Sequence, residues 1–542
     1  MSSTATVYLV TGANRPRGLG FCLVTHILAT HENAFVYAAV RDPAKASALY
    51  ELKEKHPHRL AIVKCVSADK ESNTAMAKEI EERHGRVDTV IANAALLGAA
   101  ASVHEAPPDD MEEHFRVNVV GPVVLFGAVY ELLKKSKNPR FIPISSRGGS
   151  LSGPIIEFPM GSVIYASTKA TLNWVSRKIH FENDWLSALY AITVIGYQIA
   201  KIVPLPSPYH LVKSTLTCVR TFPLFIVQQE LKPAPSFLFW IVDFTIVADK
   251  SGQYQDLIKE RGYGLPPATE VAASLLKIID KSTREKNGGE FMNMEANFRG
   301  FALTAHILSK HENAFVYATV RDTTKAPALD ELKKKYPNRL AISKWVAADV
   351  EGNAALAKEI EQRHGRVDTV IANAGTLQYA LIFNTNRVNF LITQCAYPKA
   401  NVLGPVVLFQ AVYELLKKSS SPRFIPISSI AGSLVAPPIT LDMRNTVYAS
   451  SKTTLNWVTR KIHFENEWLV TFPLSPGGVD SDMFDYTKAT DATGVVADLV
   501  KEYGTFPTAD QAAILLLKII DESTREKDGG EFINIDGSRP PW

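Results

Sequence analysis

Val7-Tyr8-Leu9-Val10-Thr11-Gly12-Ala13-Asn14-Arg15-Pro16-Arg17-Gly18-Leu19-Gly20 is the stretch on which the fold turns. An apolar run of strand length, Val7–Val10, ends in a glycine-rich turn, and a helical pattern follows. Glycines at such a turn let backbone approach a pyrophosphate, and the helix start offers unpaired N–H groups at its positive dipole end. A Gly-rich turn by itself is an ordinary chain reversal. Between an N-terminal strand and a helix it reads as a dinucleotide site. Working outward, Phe35–Val40, Leu60–Val63, Val87–Ala92 and Phe141–Ile144 read as buried strands. Lys45–Lys55, Thr74–Arg83 and Val119–Lys135 carry helical spacing with charged faces. This alternation predicts an α/β fold, a doubly wound parallel sheet with its ligand at the carboxyl ends of the strands.

The pattern occurs twice. His31–Asp42 returns at His311–Asp322 with one change, and Arg83–Ala94 returns unchanged at Arg363–Ala374, both 280 residues later. Arg140–Ser146 recurs as Arg423–Ser429, and Gly-Gly-Glu-Phe at Gly288 recurs at Gly529. A unit this long is a duplicated domain, not a solenoid repeat. Two tandem Rossmann-like domains are expected, residues 1–294 and 295–542. The second starts near Gly300 without a counterpart of Val7–Arg17, so it is predicted to lack its first strand and Gly-rich loop. The first copy carries 34 residues, Ser187–Arg220, where the second has Val470 alone, a net gain of 33, and irregularity is expected over 187–250 and again over 376–400. Within the insert, Leu186–Val203 is apolar enough to weigh as a membrane span, but it is near the minimum length and holds Gln198 and Lys201. A tolerated insert is the simpler reading, because loops absorb length at low free-energy cost.

Composition narrows the class. The 542 residues are 46% apolar and 21% charged, with a formal net charge of +4 and no basic run. That pattern points to a soluble globular protein with no nucleic-acid partner and no membrane attachment. Cys22, Cys65, Cys218 and Cys395 lie scattered, which argues against a disulfide framework or a zinc site and suits a reducing compartment. Met1–Val10 lacks the pattern of a secretory signal, so the cytoplasm is the expected location and no metal is expected.

Tyr165-Ala166-Ser167-Thr168-Lys169 returns as Tyr448-Ala449-Ser450-Ser451-Lys452. Residues four apart share a helix face, so one ammonium serves the phenol and a bound cofactor together. A nearby positive charge favours phenolate, as proton-transfer catalysis near neutrality requires. A tyrosine and a lysine at this spacing also arise by chance on solvated helices. Here each tyrosine lies 19 residues after a serine, Ser146 or Ser429, and 47 after an asparagine, Asn118 or Asn401.

These residues resemble the short-chain dehydrogenase/reductase family, with its YxxxK motif, its Asn-Ser-Tyr-Lys tetrad and its TGxxxGxG fingerprint. Gly12 and Gly18 align with the first and last fingerprint glycines, and Pro16 stands where the middle one belongs. Proline has no N–H and a fixed φ, so weakened cofactor contact is expected there. The resemblance implies that Tyr165 or Tyr448 donates a proton to a ketone. The matching lysine holds the ribose, Ser146 or Ser429 orients the carbonyl, and Asn118 or Asn401 holds a relay water. It further implies cofactor contacts from Asn14, from the turns at Asn93 and Asn373, and from Asp69 and Asp349 beside adenine. Pro476-Gly477 would contact the nicotinamide amide; the first copy has Leu224-Phe225-Ile226 instead. Arg15, Arg41 and Arg321 sit where relatives preferring NADP bind the 2′-phosphate, so NADP is favoured over NAD. A solvated loop arginine is the plain alternative for each, and a loop acid for each aspartate.

The expected function is NAD(P)H-dependent reduction of a ketone to a secondary alcohol. Thr11–Arg15, Val40–Asp42 and the widened serine–tyrosine spacing resemble fungal ketoreductases of the norsolorinic acid type, which points to a polyketide. The alternative is a catalytically impaired dinucleotide-binding or scaffold protein, since neither copy keeps every motif. The expected partners are a small carbonyl substrate and the other copy in an internal pseudo-dimer, or else further chains in a homo-oligomer.

Overall fold

The computed structural model describes residues 5–98, 100–157, 163–188, 191–193, 292–295, 298–379, 399–441, 445–479 and 506–542, with 494, 495, 498 and 501. In the first unit the elements run β1 (Thr6–Thr11), α1 (Leu19–Thr30), β2 (Ala34–Val40), α2 (Ser47–Lys55) and β3 (Leu60–Lys64). They continue through α3 (Lys70–His84), β4 (Thr89–Ala92), α4 (Pro108–Phe115), α5 (Gly121–Lys134), β5 (Arg140–Ser146) and α6 (Val163–Glu182), to β6 (Ser187–Ala188) and β7 (Ala191–Thr193). The strands form a parallel sheet in the order β3-β2-β1-β4-β5-β6, with β7 also on β5. Side chains alternate across it. Val7 and Leu9 pack towards α3, α5 and α6, whereas Tyr8 and Val10 pack towards α1 and α2. Both faces are therefore buried, as the near-continuous apolar runs require. The stretch Pro108–Lys134 is long and apolar enough to cross a membrane, but its apolar side chains, among them Phe115, Phe126 and Leu133, lie in this core.

Two details correct the sequence reading. The 187–250 segment is not irregular from its start, because Ser187–Ala188 and Ala191–Thr193 pair with β5 as the far edge of the sheet. The rest of that segment, including most of the apolar run Leu186–Val203, lies outside the described residues, as does 380–398. The strand Met292–Glu295 (β8), which straddles the expected boundary between residues 294 and 295, pairs antiparallel with Thr376–Tyr379 in the second unit.

The second unit repeats the plan with a gap. After β8 come α7 (Phe298–Lys310), β9 (Val316–Val320), α8 (Pro327–Lys335), β10 (Leu340–Lys344), α9 (Val350–His364) and β11 (Thr369–Ala372). Then follow β12 (Thr376–Tyr379), α10 (Gly404–Lys417), β13 (Arg423–Pro426), α11 (Thr446–Glu465), β14 (Val470–Thr471), β15 (Leu474–Ser475), α12 (Ala509–Glu522) and, past a short helical turn, β16 (Ile533–Asn534). β9 pairs with β10, and β11 with β13, which pairs in turn with β14, but among the described residues no strand joins β9 to β11. β1 fills that place in the first unit, pairing with both β2 and β4.

The two units meet through α6 and α11, which carry the paired YxxxK motifs. Equivalent contacts recur in both directions. Trp174 Nε1 donates to Ala431 O at 3.1 Å, and Trp457 Nε1 to Gly148 O at 2.9 Å. Lys178 Nζ reaches Ile439 O at 3.4 Å and Leu441 O at 2.7 Å, and Lys461 Nζ reaches Ile156 O at 3.1 Å. Thr171 and Thr454, equivalent in the two copies, share a hydrogen bond at 2.5 Å on the local axis. Each lysine also faces a carboxylate one turn on, Glu182 at 3.5 Å and Glu465 at 3.8 Å. Burial pushes the Glu465 carboxyl up and the Lys461 ammonium down.

The Gly-Gly-Glu-Phe repeat has a structural explanation in the second unit. Gly529 and Gly530 close over the His463 ring, where a Cβ on either would come within 2.5 and 2.7 Å of ring atoms. Arg525 Nη1 lies 2.9 Å from His463 Nδ1. Burial, then Arg525 and Arg460, hold the His463 pKa down to about 4 from its ordinary 6.5. The unfolded chain therefore takes up this proton first as pH falls, so stability declines from about pH 6.5 towards pH 4 and is unaffected above. Urea unfolding of the second unit is expected to show a lower midpoint at pH 4.5 than at pH 7, and His463→Gln to flatten that slope.

Candidate active site

β1 delivers the chain into the Gly-rich turn with Gly12 at φ 68°, a left-handed conformation in which the missing Cβ matters. A Cβ there would lie 2.9 Å from Ala94 Cα. The turn is tied to the end of β4. Asn93 Nδ2 donates to Thr11 O at 2.9 Å, and the Thr11 hydroxyl accepts from the N–H of Asn93 and of Ala94, each at 3.0 Å. Thr11 opens the TGxxxGxG fingerprint, and this tie to the end of β4 is the contact that its hydroxyl makes. On the other side Ala13 N donates to Ala39 O at 3.4 Å, so the turn lies against the end of β2, one residue before the exposed Arg41. Asn14 is half-buried and Arg15 exposed in the turn itself.

The third close contact belongs to Gly20. A Cβ on Gly20 would sit 2.6 Å from both Gly12 O and Asn93 Nδ2, while Gly18 caps the start of α1. Gly12, Gly18 and Gly20 are thus the glycines that shape the turn, and Pro16 and Arg17 bulge from it exposed. A cradle of this form, with free N–H groups at the start of α1, fits a pyrophosphate.

The four expected tetrad residues of the first unit stand on elements that pack against one another: a π-helical turn, the end of β5 and α6. Asn118 lies in a π-helical turn, Arg116–Val120, a distortion that redirects side chains and recurs at functional sites. Its Oδ1 accepts from Leu96 N at 2.8 Å, and its Nδ2 donates to Leu96 O at 2.9 Å and to Thr168 Oγ1 at 3.1 Å. Asn118 therefore links the Asn93 turn to the Tyr165 helix. Ser146 ends β5 and caps the next turn through Gly148 N at 3.0 Å. That turn presses on α6, where a Cβ on Gly149 would come within 2.5 Å of Lys169 C and Ala170 N. Lys169 is buried, donates to Ile144 O at 2.7 Å and sits 5.3 Å from the centre of the Tyr165 ring.

The second unit reproduces this part. Asn401 occupies the matching π-helical turn and donates to Ser451 Oγ at 2.9 Å. Ser429 caps Ala431 N at 3.3 Å, and Lys452 donates to Ile427 O at 2.8 Å and lies 5.5 Å from the Tyr448 ring. Pro476 is buried and Gly477 takes φ 64° just after β15. The first unit's counterpart, Leu224–Ile226, falls outside the described residues. Arg321 is exposed after β9. Asn373, whose counterpart Asn93 bonds Thr11, leaves its buried Oδ1 without a partner. Among the described residues the second unit has no counterpart of β1 and its Gly-rich turn. Asp69 and Asp349 are exposed and cap α3 and α9 through Ser72 N at 2.7 Å and Gly352 N at 2.9 Å. Both follow an alanine in left-handed conformation, Ala68 at φ 60° and Ala348 at φ 62°.

The pattern of a short chain dehydrogenase matches this sequence twice, over residues 6–197 and 298–492. The chain belongs to the short-chain dehydrogenase family. A short chain dehydrogenase of Penicillium aethiopicum is 37% identical over 183 residues, 33% of this chain and 70% of the relative. A norsolorinic acid ketoreductase of Dothistroma septosporum is 34% identical over 191 residues, 34% of this chain and 69% of the relative. The N-domain of a bacterial malonyl-CoA reductase superposes with a TM-score of 0.59 over 98% of both chains at 15% identity, a likeness of fold that extends through both units. The protein is a tandem short-chain oxidoreductase whose two Rossmann-like units differ in completeness.

Gly20→Ala is expected to lower the stability of the first unit by about 1–3 kcal/mol, because backbone must move. Gly300→Ala, at the equivalent position, meets only Asn373 Nδ2 at 3.3 Å and should be near neutral. Paired urea titrations of the two variants check this.

Proposed function

We propose that the first unit reduces a ketone to a secondary alcohol with NADPH, and that the second binds no dinucleotide of its own. The observation that carries this reading is that, among the described residues, only the first unit has a glycine cradle on the sheet edge where its Asn118, Ser146, Tyr165 and Lys169 elements end. Gly12, Gly18 and the start of α1 would hold the pyrophosphate, Asn93 the adenine-ribose side, and Arg15 and Arg41 a 2′-phosphate through their planar donors. Bound there, the nicotinamide supplies the hydride.

The chain's own groups manage the proton. Ser146, held at the mouth of the turn that leans on α6, orients the carbonyl oxygen. Tyr165 Oη donates its proton to that oxygen as negative charge develops on it. Lys169, buried and fixed by Ile144 O, stabilises the phenolate left behind and grips the ribose hydroxyls. Asn118 keeps the helix bent at the point where a relay water returns the proton. The likeness to norsolorinic acid ketoreductases supports a polyketide ketone as substrate, and the scattered cysteines support action in the reducing cytosol. The reciprocal α6–α11 contacts support an internal pseudo-dimer in place of pairing between chains.

A second reading, a dinucleotide-binding protein without turnover, is favoured by Leu224-Phe225-Ile226 where the second copy has Pro476-Gly477. Fluorescence titration is expected to find one NADPH per chain, and two would overturn the assignment of the second unit. Tyr165→Phe should cut ketone-dependent NADPH oxidation at least about 100-fold with cofactor binding kept. Tight binding with no turnover on any ketone by the unaltered chain would favour the second reading.

A further inference from the structure

The interface is reciprocal, but its consequences are not. The two segments of the first unit that bracket its tetrad are both held by side chains of the second. The turn after Ser146 is held at Gly148 O by Trp457 Nε1, 2.9 Å, and at Ile156 O by Lys461 Nζ, 3.1 Å. The segment after the Asn93 turn is held at Val103 O and Ala106 O by Gln410 Nε2, both 2.9 Å, and at Val103 N by Glu465 Oε2, 2.8 Å. Gln410 marks the asymmetry. Its equivalent in the first copy is Gly127, which has no side chain to offer in return. Tyr413 adds a ring stacked on His104 at 4.3 Å.

We propose that the second unit is a positioning subunit for the first unit's active site, with Trp457, Lys461 and Gln410 fixing the turn from Ser146 to Ile156 and the stretch from Val103 to Ala106 beside the bound ketone. This rests on the proposed reduction by the first unit. None of the three side chains touches the cofactor cradle at Gly12–Gly20, so they act on placement of the substrate and of Ser146, not on dinucleotide binding. The physical reason is geometric: orientation of the reacting groups within a fraction of an ångström sets much of the rate. Peptide carbonyls in a buried turn keep one position only while a donor holds them. A duplicated copy that has lost its own cradle is retained because it supplies those donors from within the chain.

The mirror pair Trp457→Phe and Trp174→Phe tests this. Each removes one indole donor from the same kind of interface contact, at Gly148 O or at Ala431 O. Both should lower the unfolding midpoint equally. Trp457→Phe is expected to lower kcat on the order of tenfold, with the NADPH Kd unchanged. It should also speed hydrogen exchange at the amides of Ser150 and Ile156, which bond within the braced turn. Trp174→Phe should leave kcat and those amides as they are. Lys461→Arg, which keeps a donor, should retain more kcat than Lys461→Met. Equal loss of kcat in both tryptophan variants would mean that the interface matters only for stability, and would overturn the proposal. So would unchanged exchange in Trp457→Phe. If the unaltered chain reduces no ketone but Trp457→Phe still loosens those amides, the positioning stands and the assigned reaction fails.

Discussion

Two helices, α6 and α11, lie against one another so closely that nearly every side chain on both is buried, although many are serine, threonine, asparagine or lysine. A buried polar interface persists where most of its polar atoms find partners. Here the hydroxyls satisfy themselves on their own helices. Ser176 donates to Leu172 O at 2.6 Å and Thr459 to Leu455 O at 2.6 Å, four residues back in each case. The longer donors, the tryptophans and lysines, cross to backbone carbonyls of the other unit. The same helices carry Tyr165, Lys169, Tyr448 and Lys452 on the faces turned to the sheets, so interface and catalytic cluster share one rigid support. Ser145 bonded to Asn173, and Ser428 to Asn456, fasten each helix to its own strand end.

Loss of one strand shows how far such a support reaches. β4 and β11 have the same sequence, Thr-Val-Ile-Ala, yet β4 is buried throughout and β11 is mostly part-exposed. The difference is β1, which lies beside β4 and has no counterpart beside β11. The consequence stops at that side of the sheet. On the other side β13, α10 and α11 keep the packing of their equivalents, with Phe409 on Phe424 at 5.0 Å where the first unit has Phe126 on Phe141 at 4.8 Å. The interface lies on this intact side, which is why a unit without a cofactor cradle still presents a full docking face.

A division of labour follows from this geometry. Dinucleotide recognition needs β1, its turn and α1; interface formation needs α5, α6 and the turn after β5, or their equivalents. Among the described residues the first copy holds the glycine cradle, and both copies hold an interface face. The split sheet marks where the second copy departs from the first.

The amino-acid sequence determined the fold class, the duplication and the absent first strand of the second copy, because periodicity and motif spacing are local and survive in one dimension. It left Gly20 without a role, since the need for glycine there arises from Asn93 and Gly12 O across the sheet. It gave Thr11 a place in the fingerprint but no contact, and it took the start of the 187–250 segment for an insert when those residues close the sheet on β5. The aspartates Asp69 and Asp349, expected beside adenine, also cap α3 and α9, a role their spacing to the helix starts carries. Only the tertiary structure decided which faces meet. Contacts such as Trp457 to Gly148, 309 residues apart, depend on two folded surfaces fitting together. No local pattern encodes that fit.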